Sequence, residues 1–263
     1  METETVTSKD GTTIAFERTG EGPALILVDG ALCSRAFGPM RPLAALLAPH
    51  FTVYANDRRG RGESGDTAPF AVEREVEDID ALIAAAGGSA FVYGISSGAA
   101  LALEAARQLP DRITKLALYE APYSVDEASV ERFKAYRTQL GEVLAEGRRG
   151  DAVELFMRLV GASDEGVAGT RQSPAWPQFE AVAPTLAYDA AALGDSSVPV
   201  ERAASVTTPT LVMDGGASFP FMHTAADNLA GALPHAQRRT LEGQTHEVAA
   251  EVIAPALVEF FAG

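Results

Sequence analysis

One segment, Phe91-Val92-Tyr93-Gly94-Ile95-Ser96-Ser97-Gly98-Ala99-Ala100, restricts the fold of this chain more than any other. An apolar run stops at Gly94, and an alanine- and leucine-rich stretch, Ser97–Gln108, follows at once and stops before Pro110. A strand therefore has to turn into a helix with a serine at the apex. Ser96 is expected on a sharp, strained turn, with Gly94 and Gly98 keeping side chains out of the crowded positions beside it. The helix after the turn aims its amino end and its free backbone N–H groups at the apex. A hydroxyl held there is a candidate nucleophile, because those N–H groups can stabilise the negative charge its attack creates. Ser97 carries the rival hydroxyl, but it is offset from the centre of the turn and is expected to contribute its backbone N–H.

Short apolar runs recur at Ala24–Val28, Phe51–Ala55, Ala90–Tyr93, Lys115–Tyr119, Thr210–Met213 and Arg238–Leu241. Runs without alternation suit strands covered on both faces, as in a parallel sheet between helices. Ahead of them, Thr5–Ser8 and Thr12–Arg18 flank Asp10-Gly11 and read as a hairpin. Helical periodicity fills the gaps: Val72, Val76, Ile79, Leu82, Ile83 and Ala86 share a face, and Val248–Phe261 closes the chain. The alternation predicts an α/β fold with a doubly wound, mostly parallel sheet.

Between Glu120 and Thr210 the alternation breaks, and roughly 85 residues pass without a strand, too many for a structureless loop. Val130, Phe133, Tyr136, Leu140 and Val143 form one apolar stripe, Leu155, Phe156, Leu159 and Val160 another, and a further helix is expected over Phe179–Leu193. The expected organisation is a core made of residues 1–121 and 205–263, with residues 122–204 inserted as a helical cap. Ligands of open α/β sheets bind at the carboxyl edge, where such an insertion would sit.

Charge narrows the partners. The 263 residues include 21 Lys and Arg against 36 Asp and Glu, a net charge of −15. Such a balance opposes binding to nucleic acid or to anionic membranes. No apolar run approaches the ~18 residues of a membrane span, and residues 1–9 lack the profile of a signal peptide. Cys33 is the one cysteine, so no intrachain disulfide can form, and a cytoplasmic location is expected. With one cysteine and no closely spaced histidine pair, neither a metal nor another cofactor is expected. A small-molecule substrate and a monomer or homodimer are the expected partner and state.

A serine hydroxyl needs a base within reach. His50 and His235 each precede a strand, on the edge opposite the serine turn. His223 falls in what reads as a loop after Thr210–Met213, where it could line a pocket. His246 follows the last strand, and only it has the chain order and the edge to approach Ser96.

At this point a resemblance becomes plain. Together with the serine turn, Leu25-Ile26-Leu27-Val28-Asp29-Gly30-Ala31, Asp57-Arg58-Arg59-Gly60-Arg61-Gly62-Glu63-Ser64 and Pro209–Gly215 make the chain resemble a cap-bearing serine hydrolase of the α/β-hydrolase superfamily, of esterase or lactonase type, over essentially its whole length. The resemblance implies that Ser96 and His246 are catalytic and that the backbone N–H groups of Ala31 and Ser97 form an oxyanion hole. Two departures stand out. The oxyanion turn usually begins His-Gly, where this chain has Asp29-Gly30. The orienting acid usually closes a Gly-x-x-Asp stretch, where this chain has Ser218. Some haloalkane dehalogenases of the superfamily instead carry a glutamate just past the strand after the elbow helix, and Glu120 in Leu118-Tyr119-Glu120-Ala121-Pro122 matches that position. Glu120 is the expected acid, with Asp214 as the alternative.

The resemblance also implies chemistry. Dehalogenases and epoxide hydrolases of this fold use an aspartate where this chain has Ser96, so hydrolysis of a small, fairly apolar ester, lactone or thioester through an acyl-enzyme is expected instead. C–C hydrolysis, lyase chemistry or acyl transfer on the same site, or ligand binding without turnover, are the alternatives. Cys33, Phe37, Trp176, Phe179, Phe219, Phe221 and Met222 are the candidate pocket residues.

Overall fold

The apolar runs pair into one eight-stranded sheet in the computed structural model, which describes residues 2–263. Strands β1 (Thr3–Thr7) and β2 (Thr13–Thr19) form the hairpin, and β2 lies antiparallel to β4 (Thr52–Asn56). The remaining strands, β3 (Ala24–Val28), β5 (Ala90–Ile95), β6 (Ile113–Tyr119), β7 (Thr210–Gly215) and β8 (Ala236–Leu241), run parallel to β4 and to one another. The order is β1-β2-β4-β3-β5-β6-β7-β8.

Successive side chains of a strand point to opposite faces, so a strand covered on both sides has to be apolar throughout. Leu25 and Leu27 of β3 pack with Leu47 of α1 (Met40–Leu47) and Leu257 and Phe261 of α11 (Ala250–Ala262). Ile26 and Val28 pack on the other face with Val76, Ile79 and Leu82 of α2 (Val72–Ala85) and Leu101 of α3 (Ser97–Gln108). Leu229 of α10 (Pro220–Ala232) joins that second face. Each fully buried Leu or Ile stabilises the fold by roughly 1.5–3 kcal/mol relative to exposure. The chain is thus a doubly wound α/β sheet.

From β3 the chain steps outward through α1 to β4, then returns through α2 to β5 on the other side of β3. The connections diverge at the carboxyl ends of β3 and β5, and such a crevice is where open sheets bind ligands. Gly30 and Ser96 follow those two strand ends.

Between β6 and β7 come α4 (Glu127–Ala145), α5 (Arg149–Leu159), α6 (Asp164–Arg171), α7 (Trp176–Val182), α8 (Leu186–Ala192) and α9 (Val200–Ala204). Asp126 starts α4 by accepting the Ser129 N–H at 2.7 Å, a typical N-cap. The single helix expected over Phe179–Leu193 is two, α7 and α8, joined by a 3₁₀ turn at Ala183–Thr185. Pro184 is the reason: it has no N–H and its ring crowds the preceding turn. A second difference is His223, which lies on α10 and not in a loop. Pro220, at the first helical position, is the local signal for that helix. No helix among the described residues is long and apolar enough to cross a membrane.

The crowding at the serine turn yields a measurable expectation. A Cβ on Gly98 would lie 2.4 Å from the carbonyl oxygens of both Val28 and Asp29, whereas one on Gly141, inside α4, would meet nothing within 4 Å. Gly98→Ala should lower stability by about 1–3 kcal/mol or more. Gly141→Ala should raise it by about 0.5–1 kcal/mol. Urea unfolding of the two variants beside the parent checks both signs.

Candidate active site

Ser96 sits at φ 57° and ψ −129°, a backbone conformation that costs a non-glycine residue on the order of 1–3 kcal/mol. Its neighbours hold it there. The Ser96 N–H donates to Tyr119 O at 2.9 Å, and Ser96 O accepts the Ala99 N–H at 2.9 Å. A Cβ on Gly94 would strike Gly98 O at 2.4 Å, and one on Gly30 would lie 3.0 Å from the Ser96 Cβ. The turn after β3 is therefore packed directly against the serine.

Glu120 immediately follows β6, next to the serine strand, with Tyr119 in register with Ile95. Its side chain is 0% exposed and makes two bonds. Oε1 accepts the Gly215 N–H at 2.8 Å, and Oε2 lies 2.7 Å from His246 Nδ1. Burial pushes the carboxyl pKa up, but the bonds from His246 and the Gly215 N–H, with the Ser218 hydroxyl nearby, outweigh it, and the net shift is downward. Glu120 is thus held as a carboxylate.

The loop carrying His246 is fixed from both sides. Tyr119 Oη donates to Thr245 O at 2.6 Å, and the Ala217 N–H donates to Gln244 O at 2.8 Å. Gly215 is required at the crossing, because a Cβ there would lie 2.3 Å from Gln244 O. The imidazole itself stays 40% exposed.

The alternative acid is engaged elsewhere. Asp214 bonds His223 Nδ1 through Oδ2 and accepts Arg238 Nη1 at 2.7 Å through Oδ1. Ser218, at the position where the acid is usual, has a buried hydroxyl beside Glu120 with no bond of normal geometry. His50 and His235 are exposed, each just ahead of a parallel strand.

The structure places the candidate pocket residues in different settings. Phe37, in the loop after β3, meets Phe179 of α7 edge to face, with centroids 5.1 Å apart. Cys33 is half-buried in that same loop. Burial and the neighbouring Asp29 charge push its thiol well up, so it remains neutral. Trp176 is buried at the α5–α7 contact, beside Gly150 and under the Arg171 guanidinium. Phe219 and Phe221 are exposed and stack on each other, while Met222 is buried.

Ala31 is half-buried, and Ser97 is buried with its hydroxyl donating to Asp189 Oδ1 at 2.7 Å. This bond occupies the rival hydroxyl. Asp189 was not found by sequence reasoning, and no local signal marks it: it lies in Leu186-Ala187-Tyr188-Asp189-Ala190, an ordinary helical stretch. Asp29, which replaces the usual histidine, is buried. Its Oδ1 accepts the Gly30 N–H at 2.8 Å, while Oδ2 faces Gly38 and the Cys33 side chain with no hydrogen-bond partner.

The chain can be compared with known proteins on this basis. A family model described as "Alpha/beta hydrolase family" matches residues 25–257. A pimeloyl-[acyl-carrier protein] methyl ester esterase from Xanthomonas campestris pv. campestris is 32% identical, over 92% of this chain and 96% of that protein. The crystal structure of an alpha/beta hydrolase from Sphaerobacter thermophilus superposes with a TM-score of 0.89 at 56% identity, covering 98% of this chain and 100% of that one. A thermophilic esterase from Thermogutta terrifontis shares the fold, with a TM-score of 0.75 at 24% identity, covering 100% of this chain and 98% of that one.

Asp29 makes stability depend on pH. Burial raises its pKa from 3.8 to about 6, against the opposing pull of the Gly30 N–H and of Arg61. Between about pH 4 and pH 6 the folded state therefore binds more protons than the unfolded chain, and this contribution to stability falls as pH rises. Asp29→Asn has no proton to lose. Its stability relative to the parent should improve by about 2–3 kcal/mol between pH 4 and pH 7. Urea unfolding of both proteins at the two pH values measures the change, and a constant gap would contradict it.

Proposed function

The chain belongs to the alpha/beta hydrolase family, and on that premise we propose that it is a serine hydrolase cleaving a small, fairly apolar ester, lactone or thioester through an acyl-enzyme on Ser96. The observation that carries this reading is the 2.7 Å bond between His246 Nδ1 and Glu120 Oε2 at the edge of the sheet where Ser96 is strained. A carboxylate accepting Nδ1–H leaves Nε2 as the basic nitrogen.

In the proposed reaction His246 takes the proton from Ser96 as the hydroxyl attacks the acyl carbon. The N–H groups of Ala31 and Ser97 stabilise the oxyanion, and losing one such donor typically costs about 2.7–4 kcal/mol. His246 then protonates the leaving alcohol or thiol, which departs as the acyl-enzyme forms. Water, deprotonated by His246, releases the acid and restores Ser96. Glu120 keeps the imidazole in one tautomer and stabilises it when it is protonated.

The esterase relative, at 32% identity, supports ester hydrolysis; its carrier-bound pimeloyl substrate belongs to that protein. Residues 122–204 are proposed to act as the cap over a core of 1–121 and 205–263. The Phe37–Phe179 contact supports this, since it joins the loop after β3 to α7. The same two rings favour an apolar acyl or alcohol group.

Intact-protein mass after treatment with a fluorophosphonate tests the reading. The parent should gain a single adduct and Ser96→Ala none. On p-nitrophenyl butyrate, Glu120→Gln should reduce kcat by roughly 10³–10⁴-fold, because the imidazole loses its fixed tautomer. A folded parent that takes no adduct would overturn the acyl-enzyme proposal.

A further inference from the structure

Two guanidiniums, one hydroxyl and one carboxylate meet beneath the turn that follows β3. The carboxylate is Asp189, 3% exposed, on α8. Its Oδ1 accepts Arg58 Nη1 at 2.7 Å, Arg61 Nη2 at 2.8 Å and Ser97 Oγ at 2.7 Å, and its Oδ2 accepts Arg61 Nη2 at 2.8 Å. The same guanidiniums continue to the turn. Arg58 Nη1 donates to Asp29 O at 3.1 Å, and Arg61 Nη1 donates to Gly30 O at 2.5 Å and to Cys33 O at 3.3 Å.

The Gly30 carbonyl and the Ala31 N–H belong to one planar peptide group. A cation bonded to the oxygen end fixes the plane of that group. It also draws electron density from the nitrogen, which makes the Ala31 N–H a stronger donor. The other donor, the Ser97 N–H, belongs to the residue whose side chain is tied to the same Asp189 oxygen. We propose that Asp189 is the positioning residue of the oxyanion hole, setting the Ala31 N–H through Arg61 and the Ser97 N–H through the Ser97 hydroxyl. This assignment rests on the serine-hydrolase reading above.

Asp189 is itself held from several directions. Tyr188 stacks on Phe70 with centroids 3.7 Å apart, and its hydroxyl donates to Asp66 Oδ2 at 2.7 Å. Arg61 Nε donates to Thr185 Oγ1 at 3.0 Å, and Arg58 makes two further bonds of 2.8 Å to Glu75. Burial pushes the Asp189 pKa up, but the charges of Arg61 and Arg58 outweigh it, so the group stays ionised. The pinned carboxylate can therefore serve as a fixed reference point for both N–H groups.

A structural ion pair alone would alter stability and leave the chemistry of the oxyanion untouched, and a pair of substrates separates the two roles. Sulfur accepts hydrogen bonds poorly, so an intact oxyanion hole favours p-nitrophenyl butyrate over its thionoester. In Asp189→Asn, kcat on the oxoester should fall about 100-fold with KM changed little. The preference for the oxoester over the thionoester should shrink by roughly tenfold, because the lost stabilisation is specific to oxygen. Removing one partner from buried guanidiniums endangers folding, so Ser97→Ala is measured beside it. That variant keeps both arginine pairs, and its oxoester preference should shrink by about threefold or more. A folded Asp189→Asn with the parent's kcat and oxoester preference overturns the assignment. If Asp189→Asn does not fold, an unchanged preference in Ser97→Ala overturns it. A parent with no Ser96 adduct and no ester turnover overturns the serine-hydrolase reading, and the assignment with it.

Discussion

The amino end of α3 lies so close to the carboxyl ends of β3 and β5 that only glycine fits between them. Gly98 faces the carbonyl oxygens of Val28 and Asp29, and Gly94 faces the carbonyl oxygen of Gly98. This approach forces Ser96 to positive φ and brings the turn after β3 against the serine. It also lets the parallel register finish the arrangement. The Ser96 N–H bonds Tyr119 O, so Glu120 begins where the serine turn ends. The Glu120 N–H bonds Met213 O, and the Glu120 side chain accepts the Gly215 N–H. One close contact thus propagates across three strand ends to the loop that carries His246.

Charge is buried behind that contact. Arg58, Arg59 and Arg61 are all buried within one short loop. Each has a carboxylate partner: Glu75 and Asp189 for Arg58, Asp78 and Asp10 for Arg59, and Asp189 for Arg61. Desolvating such groups costs several kcal/mol per ion, and the pairing repays it only with good geometry. Buried pairs are therefore weak evidence for stability. Their directional bonds are better evidence for precision, since they join α2, α8 and the turn after β3 to one loop. Asp29 is the exception, a buried carboxyl with one oxygen unbonded and no ion-pair partner among the described residues, and its burial raises its pKa.

The helices between β6 and β7 meet the sheet edge through two different kinds of contact. Phe37 and Phe179 touch edge to face, an apolar contact that tolerates sliding. Asp189 bonds at short distance and with direction, which sliding would break. The α7–α8 break at Pro184 allows one part of the inserted segment to reach Phe37 while the next reaches Arg58 and Arg61. A continuous helix over the same residues would have carried them along one axis.

Much of this protein was written locally. The strand runs and the Ser96 turn with its glycines follow from short stretches, because backbone sterics act over a few residues. The choice of His246 over three other histidines rested instead on the order of strands along the whole chain. Glu120 was singled out differently, through the resemblance to dehalogenases of the superfamily that carry a glutamate just past the same strand. The pairing that separates Glu120 from Asp214 was not legible in the sequence: it depends on whether His246 or His223 arrives at each carboxylate, and these partners are 126 and 9 residues away. The burial of Asp29 and the reach of Asp189 to Ser97, 92 residues apart, left no mark in any window of sequence. Local patterns determined the elements and the strained turn at Ser96, since those are set by neighbours along the chain. Only the tertiary structure decided which charges meet, because a carboxylate's partner and its pKa are set by neighbours in space.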